Sequence, residues 1–410
     1  MKKRFYALCL LSAVVAYAEP ETEPEVPSNL FFDTDVYIYE PKFRITYGAR
    51  LLSGSKSAFS GSGMITDSLQ HESDTTGTGE DRIYHDGTVM VDPRGAPIDD
   101  GNGGVVNVPI TPDGKTNSWS YIDANQVLPD GTIAMHSYTA NILDSGPRTK
   151  DPSSSFGIEL NVARDFGRAF FRFDWNLNAG LSLNDIRAKM NSVERASITT
   201  ITDTYSLNGA PAPLAPYNAP STTSITVIDA NGNPLLNADG SSVTIQVDNS
   251  TLLGNTPETR TIATAIDVGS VINHYDLKGA YFTFRAGPTL IYPITQGLRA
   301  TLSFGAALVY AGTTYTVEQD FKPETGADII STENDTVAKL LPGYYVDAGM
   351  ELQLTNRTGF YVSAIYQNNG SYTQSIVNNG SPGLPNTANY VSKVDLSSLQ
   401  GFRFGVNVRF

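Results

Sequence analysis

The chain has 410 residues, with 28 Lys and Arg against 42 Asp and Glu, and a formal charge of −14. That acidic balance argues against nucleic acid as a partner. The one cysteine, Cys9, sits in an N-terminal apolar run, so the chain beyond that run has neither disulfide nor thiol chemistry.

In chain order, Lys2, Lys3 and Arg4 precede the apolar run 5–17, which ends in Ala16-Tyr17-Ala18. A basic start, a short apolar centre and an A-x-A site read as a secretory signal over 1–18. The run is too short for a membrane helix. Leu8 is not the small residue that a lipoprotein signal needs before its cysteine. Removing the three basic residues takes the charge from −14 to −17. Residues 19–40 follow as an acidic, proline-rich periplasmic lead-in, opening with "EPETEPEVPSN". No later stretch approaches the roughly 18 consecutive apolar residues of a membrane helix. An exported chain of this kind is soluble, or it spans lipid as a closed barrel.

Eight segments alternate apolar and polar residues with the period of a strand: 42–51, 155–164, 169–184, 279–290, 298–310, 344–354, 359–367 and the tail 401–410, "GFRFGVNVRF". Most match the roughly 9–11 residues of a tilted membrane strand. Short connections at 165–168, 291–297 and 355–358 are rich in turn residues. They alternate strictly with long ones at 52–154, 185–278, 311–343 and 368–399. Tight turns at one end and long loops at the other are the asymmetry of a bacterial outer-membrane barrel. The expected fold is therefore all-β: an eight-stranded antiparallel up-and-down transmembrane β-barrel over 41–410, with two large extracellular loops. The loops hold further strand candidates, so ten or twelve strands stay open.

The signal, the eight amphipathic segments and the terminal "FRFGVNVRF" look like a small outer-membrane barrel of the OmpA/OmpX type. That resemblance implies a place in the cell outer membrane, surrounded by its lipid. It also implies an insertion signal read by the barrel assembly machinery, carried by Phe402, Phe404, Val406, Val408 and Phe410.

If the apolar face meets lipid, the lumen receives Lys42, Arg44, Arg50, Arg172, Arg285, Arg299, Arg403 and Arg409. Against them stand Glu159, Asp174, Asp347 and Glu351. Eight strands leave an interior that side chains can fill. Buried charges must pair. A closed, salt-bridged lumen is the expectation, and a small anion-preferring diffusion channel is the alternative. Glycines recur on the same face, at Gly48, Gly157, Gly180 and Gly405 among others, with Tyr281, Tyr345 and Tyr361 beside them.

Function then falls to the loops. Residues 53–152 carry fourteen Asp and Glu against six Lys and Arg. Trp119 and Tyr121 could anchor a small core there, and 224–247 reads as a projecting β-hairpin with Asn231-Gly232 at a turn. Exposed loops of this size suit adhesion or the binding of a surface ligand or host partner. His71, His85, His136 and His274 show no metal-ligand spacing. The acidic turns lack the spaced ligands of a calcium loop. His85-Asp86 and His136-Ser137 are adjacent pairs without a nucleophile motif. No catalytic, cofactor or metal residue is assigned, and the chain is not expected to be an enzyme.

Overall fold

The computed structural model describes residues 42–66, 81–99, 105–109, 113–143, 146–228, 233–237, 240–355, 357–381 and 386–410. The signal, the lead-in, Cys9, His71 and the Asn231-Gly232 turn lie outside them. Among the described residues there are 21 strands, one 3-10 turn at Ala124–Gln126 and no α-helix.

One antiparallel sheet dominates, with eleven strands. They are β1 (Phe43–Thr66), β2 (Thr132–Ile142), β3 (Arg148–Phe170), β4 (Phe173–Ser206), β5 (Thr259–Pro293) and β6 (Leu298–Phe321). Then come β7 (Ile329–Gln353), β8 (Thr358–Asn368), β9 (Ser371–Asn378), β10 (Thr387–Asp395) and β11 (Leu399–Arg409). From β1 the ladder runs through β3, β4, β5, β6, β7, β8 and β11, and β11 pairs with β1 again.

The expected count of eight is too small for this sheet. At the end away from the short turns, β2 pairs with β1 and β4. There β10 pairs with β1, and β9 pairs with β10. Strands also run far beyond the alternating segments: β4 has 34 residues and β5 has 35. The 311–343 connection is mostly strand, with β6 and β7 paired out to Phe321↔Ile329.

The turn expected at 165–168 is displaced to Phe171-Arg172, where Phe171 takes a left-handed φ of 47°. The ladder between β3 and β4 shifts register twice just above it, between Phe173/Asp174 and between Trp175/Asn176. There Asp165 accepts Arg44 Nη2 at 3.3 Å and Asn176 Nδ2 at 3.0 Å.

Polarity changes along the long strands β4 and β6. On lower β4, Leu177 and Leu181 are exposed while Asn176, Ser182 and Asn184 are buried. Six residues on, the same alternation has the opposite sense: Ile186 and Ala188 are buried, and the Arg187 and Lys189 side chains are 79% and 71% exposed. On β6, Phe304 and Leu308 face out below, and Val309, Ala311, Tyr315 and Val317 face in above. The lower sheet is thus polar inside and apolar outside. The upper interior holds an apolar and aromatic cluster, and the outer face there carries charged side chains such as Arg187 and Lys189 beside exposed Val193, Ile272 and Ile330.

Candidate functional site

Two interior layers and an outer head follow from that change. The lower layer is a buried ionic network. Glu159 on β3 accepts Arg403 Nε at 2.8 Å, Arg403 Nη2 at 2.6 Å, Arg285 Nη2 at 3.0 Å and the Tyr361 hydroxyl at 2.6 Å. Arg403 Nη1 bridges to Asp347, which also accepts the Ser363 hydroxyl at 3.1 Å. Arg285 lies over the Tyr345 ring, 5.2 Å from its centroid. Nearer the short turns, Arg44 pairs with Glu351 and Asp165, and Arg409 Nη2 lies 3.6 Å from Glu351 Oε2.

Glycine makes the room. A Cβ on Gly48 would fall on the Tyr361 hydroxyl, and one on Gly405 would meet the same ring. A cavity of about 50 Å³ remains, lined by Arg44, Asn161, Asn176, Thr289 and Asp347 among others. It holds a few water molecules at most.

Arg50, Asp347, Glu351, Arg403 and Arg409 are all buried here with Arg44, Glu159 and Arg285. Arg299 is half-buried, opposite Glu351 on the neighbouring strand. Lys42 and Arg172 do not join the interior. Lys42 precedes β1 and is exposed, and Arg172 is exposed in the displaced turn. Asp174 is half-buried beside that turn and has no ion pair among the described residues. Asp165, read from sequence as a turn residue, takes its place as a partner of Arg44. On β11, Phe402, Phe404 and Val406 are exposed and Val408 is half-buried, and Phe410 just after it is exposed.

The upper layer is an apolar and aromatic plug. Phe59 stacks on Tyr275 at 5.2 Å and on Tyr315 at 5.7 Å, and Tyr390 meets Tyr275 edge-on at 6.3 Å. Leu277, Val317, Tyr372, Ile376 and Val394 complete it. Each favourable aromatic pair adds roughly 0.5–1.5 kcal/mol beyond its burial.

Above the plug, 113–136 and 205–219 share a second core with Tyr84, Val89 and Leu253. Trp119 is fully buried, stacks on Tyr121 at 5.7 Å, and donates its indole N–H to the Thr251 carbonyl at 2.7 Å. Buried Asp203 accepts a two-pronged contact from Arg260, Nε at 2.6 Å and Nη2 at 2.5 Å, and the Tyr84 hydroxyl at 2.6 Å. Burial, before any neighbour, pushes the Tyr205 hydroxyl up to about 12, and raises Tyr84 further still.

The histidine pairs resolve differently from their sequence order. Asp86 is fully buried and accepts His136 Nδ1 at 2.5 Å, the His136 backbone N–H at 2.7 Å and the Thr325 hydroxyl at 3.0 Å. Ser137, the neighbour of His136, points to the other side of β2 and is buried. The arrangement has a base-orienting pair and, among the described residues, no hydroxyl bonded to the other ring nitrogen, so it reads as a clasp between the head and the 322–328 turn. Residues 50 and 239 positions apart meet in it, which no local pattern announces. Among the described residues, no group of three or more His, Cys, Asp or Glu could hold a metal ion.

No family model matches the chain, and no curated protein does. Solved structures similar to it include the outer membrane protease OmpT from Escherichia coli, at 9% identity over 93% of this chain and 99% of that one, with a TM-score of 0.26. A Pseudomonas aeruginosa FadL homologue gives 10% identity over 90% of each chain and a TM-score of 0.18. Outer-membrane expressed OmpT of Vibrio cholerae gives 9% identity over 91% and 99%, with a TM-score of 0.10. All three TM-scores lie below 0.5, too low to transfer a function.

Proposed function

We propose that the chain is an outer-membrane protein. The lower parts of β1, β3 to β8 and β11 close as a ring through the bilayer, and the upper parts of the eleven-stranded sheet carry a folded head that binds a partner at the cell surface. One observation carries the membrane reading: the reversal of polarity along unbroken strands. Outside the lower sheet, Phe43, Phe156, Phe284, Phe304, Phe360 and Phe404 are all about half exposed. Such a continuous apolar face is stable only against an apolar solvent. Above Asp185 the outer face of β4 carries exposed Arg187 and Lys189, the level at which water begins on this reading.

On this reading the chain is exported by residues 1–18, and membrane lipid covers the lower apolar face. The barrel assembly machinery engages Phe402, Phe404, Val406, Val408 and Phe410. The short turns face the periplasm, and the head faces outward. The filled interior supports a closed barrel over a diffusion channel, because guanidinium–carboxylate pairs occupy the lower half and stacked tyrosines the upper.

The test uses cells that carry the full chain, or a variant with 81–131 and 208–257 replaced by short Gly-Ser links. Insertion is verified by heat-dependent migration in SDS gels. Attachment to host cells or neighbouring cells should fall to background in the variant while insertion persists. Equal attachment by both would remove binding from the head. Steady single-channel conductance by the full chain would replace the closed barrel with the channel.

A further inference from the structure

Among the described residues, the fully buried charges of the lower interior pair almost completely, and the remainder is one cation. Arg44 and Arg409 share Glu351 and Asp165, and Arg285 and Arg403 share Glu159 and Asp347. Arg299 stays half-buried at the lower, water-accessible edge. Arg50 is 0% exposed and has no carboxylate within ion-pair distance among the described residues. Its acceptors are neutral: the Ser182 hydroxyl, and Gln367 Oε1 at 3.1 Å. A buried guanidinium stays protonated and costs several kcal/mol without a counter-charge.

The donors around it are also incomplete. Arg50 Nε, Arg285 Nε, Arg285 Nη1 and the Thr283 hydroxyl are buried and have no hydrogen-bond partner among the described residues. The register brings them together. Ser182, which holds Arg50, sits directly opposite Thr283, and Arg285 lies two residues along the same inward face.

We propose that a monovalent anion of halide size, chloride in the cell, binds inside the barrel between Arg50, Thr283 and Arg285. It supplies the charge that Arg50 lacks and accepts the donors left over. One surplus positive charge calls for one negative charge. Glu159, already bonded to Arg285 Nη2, repels a second and so excludes a divalent anion such as sulfate.

The experiment refolds the full chain in sodium gluconate, chloride or bromide at equal ionic strength. It reads the temperature at which the SDS-resistant form is lost. Chloride and bromide should raise that midpoint saturably over gluconate. Crystals grown in bromide should show anomalous density between Arg50 and Arg285. Arg50→Met should abolish the halide dependence. If that variant does not fold, Thr283→Val should weaken the dependence instead. A midpoint indifferent to the anion, bromide crystals without that density, or halide dependence that survives in Arg50→Met would each overturn the proposal.

Discussion

Glu159 is the side chain whose loss should cost most. Its carboxylate accepts Arg285, Arg403 and Tyr361 together, and it is the shared counter-charge of two buried guanidiniums. Glu159→Gln keeps the volume and one acceptor oxygen but removes the charge. Breaking a buried ion pair from one side costs about 3–5 kcal/mol. Asp347 still holds Arg403, so the lower half of that range applies to Arg403 and the larger loss falls on Arg285. At about 1.4 kcal/mol per factor of ten, the folded form should lose roughly two to three orders of magnitude in its equilibrium. The assay is urea unfolding of the refolded chain in phospholipid vesicles, followed by tryptophan fluorescence. Arg172→Ala, exposed in its turn, serves as the control and should stay within about 0.5 kcal/mol of the parent. Glu159→Gln combined with Arg285→Met should recover part of the loss, since the only cation then left facing the amide is Arg403, which keeps Asp347. A loss below about 1 kcal/mol for Glu159→Gln would refute the view that this network holds the lower interior together.

Trp119→Ala should open the head without harming the sheet below. A buried tryptophan truncated to alanine costs about 3–5 kcal/mol, and limited proteolysis should cut 81–131 while SDS resistance persists; loss of both together would mean that head and sheet are one cooperative unit. Gly48→Ala should drive Tyr361 off Glu159 and cost about 1–3 kcal/mol, read as a lower urea midpoint; an unchanged midpoint would mean that the ring does not lie over that glycine. For pH, the Tyr205 hydroxyl is held protonated in the fold, at about 12 against an ordinary 10.0. Its contribution is complete below pH 10 and is lost as pH rises toward 12. Tyrosinate absorbance in the head should therefore appear late and together with protease sensitivity, and a head that opens well below pH 10 would contradict this.

The lower strands were legible because one face meets side chains such as Ser182 and Arg285 and the other is apolar. A strict two-residue period from Leu177 to Leu183 follows. The upper halves read as loops in the sequence because the phase slips there. In Leu183-Asn184-Asp185-Ile186 two polar residues fall together, and the alternation resumes inverted with Arg187, Ala188 and Lys189. That slip is itself the signal for the change of surroundings, and reading across it recovers β4 to its end. Threonine-rich runs such as 199–204 and 259–264 blur it further, since threonine serves on either face. The interior charges were partly legible, because inward parity places Arg44, Glu159, Arg285, Asp347 and Arg403. The turn displaced by two bulges sent Arg172 outward and brought Asp165 inward, and register shifts of that kind leave no mark in composition. The Asp86–His136–Thr325 clasp depends wholly on long-range packing.

The length of β4 and β5 has a mechanical consequence. They stay paired from Asp174↔Ile291 to Thr204↔Thr259, with a single register shift. At roughly 3.3 Å per residue, that is a double-stranded beam of about 100 Å. Its one irregularity between the head and the short turns is the shift at Ala196/Ile198. A pull on the head along the strands loads many cross-strand bonds in shear at once, rather than peeling them one by one. Tension gathered outside would thus pass undiminished to the ring below, as through a mast stepped into a hull.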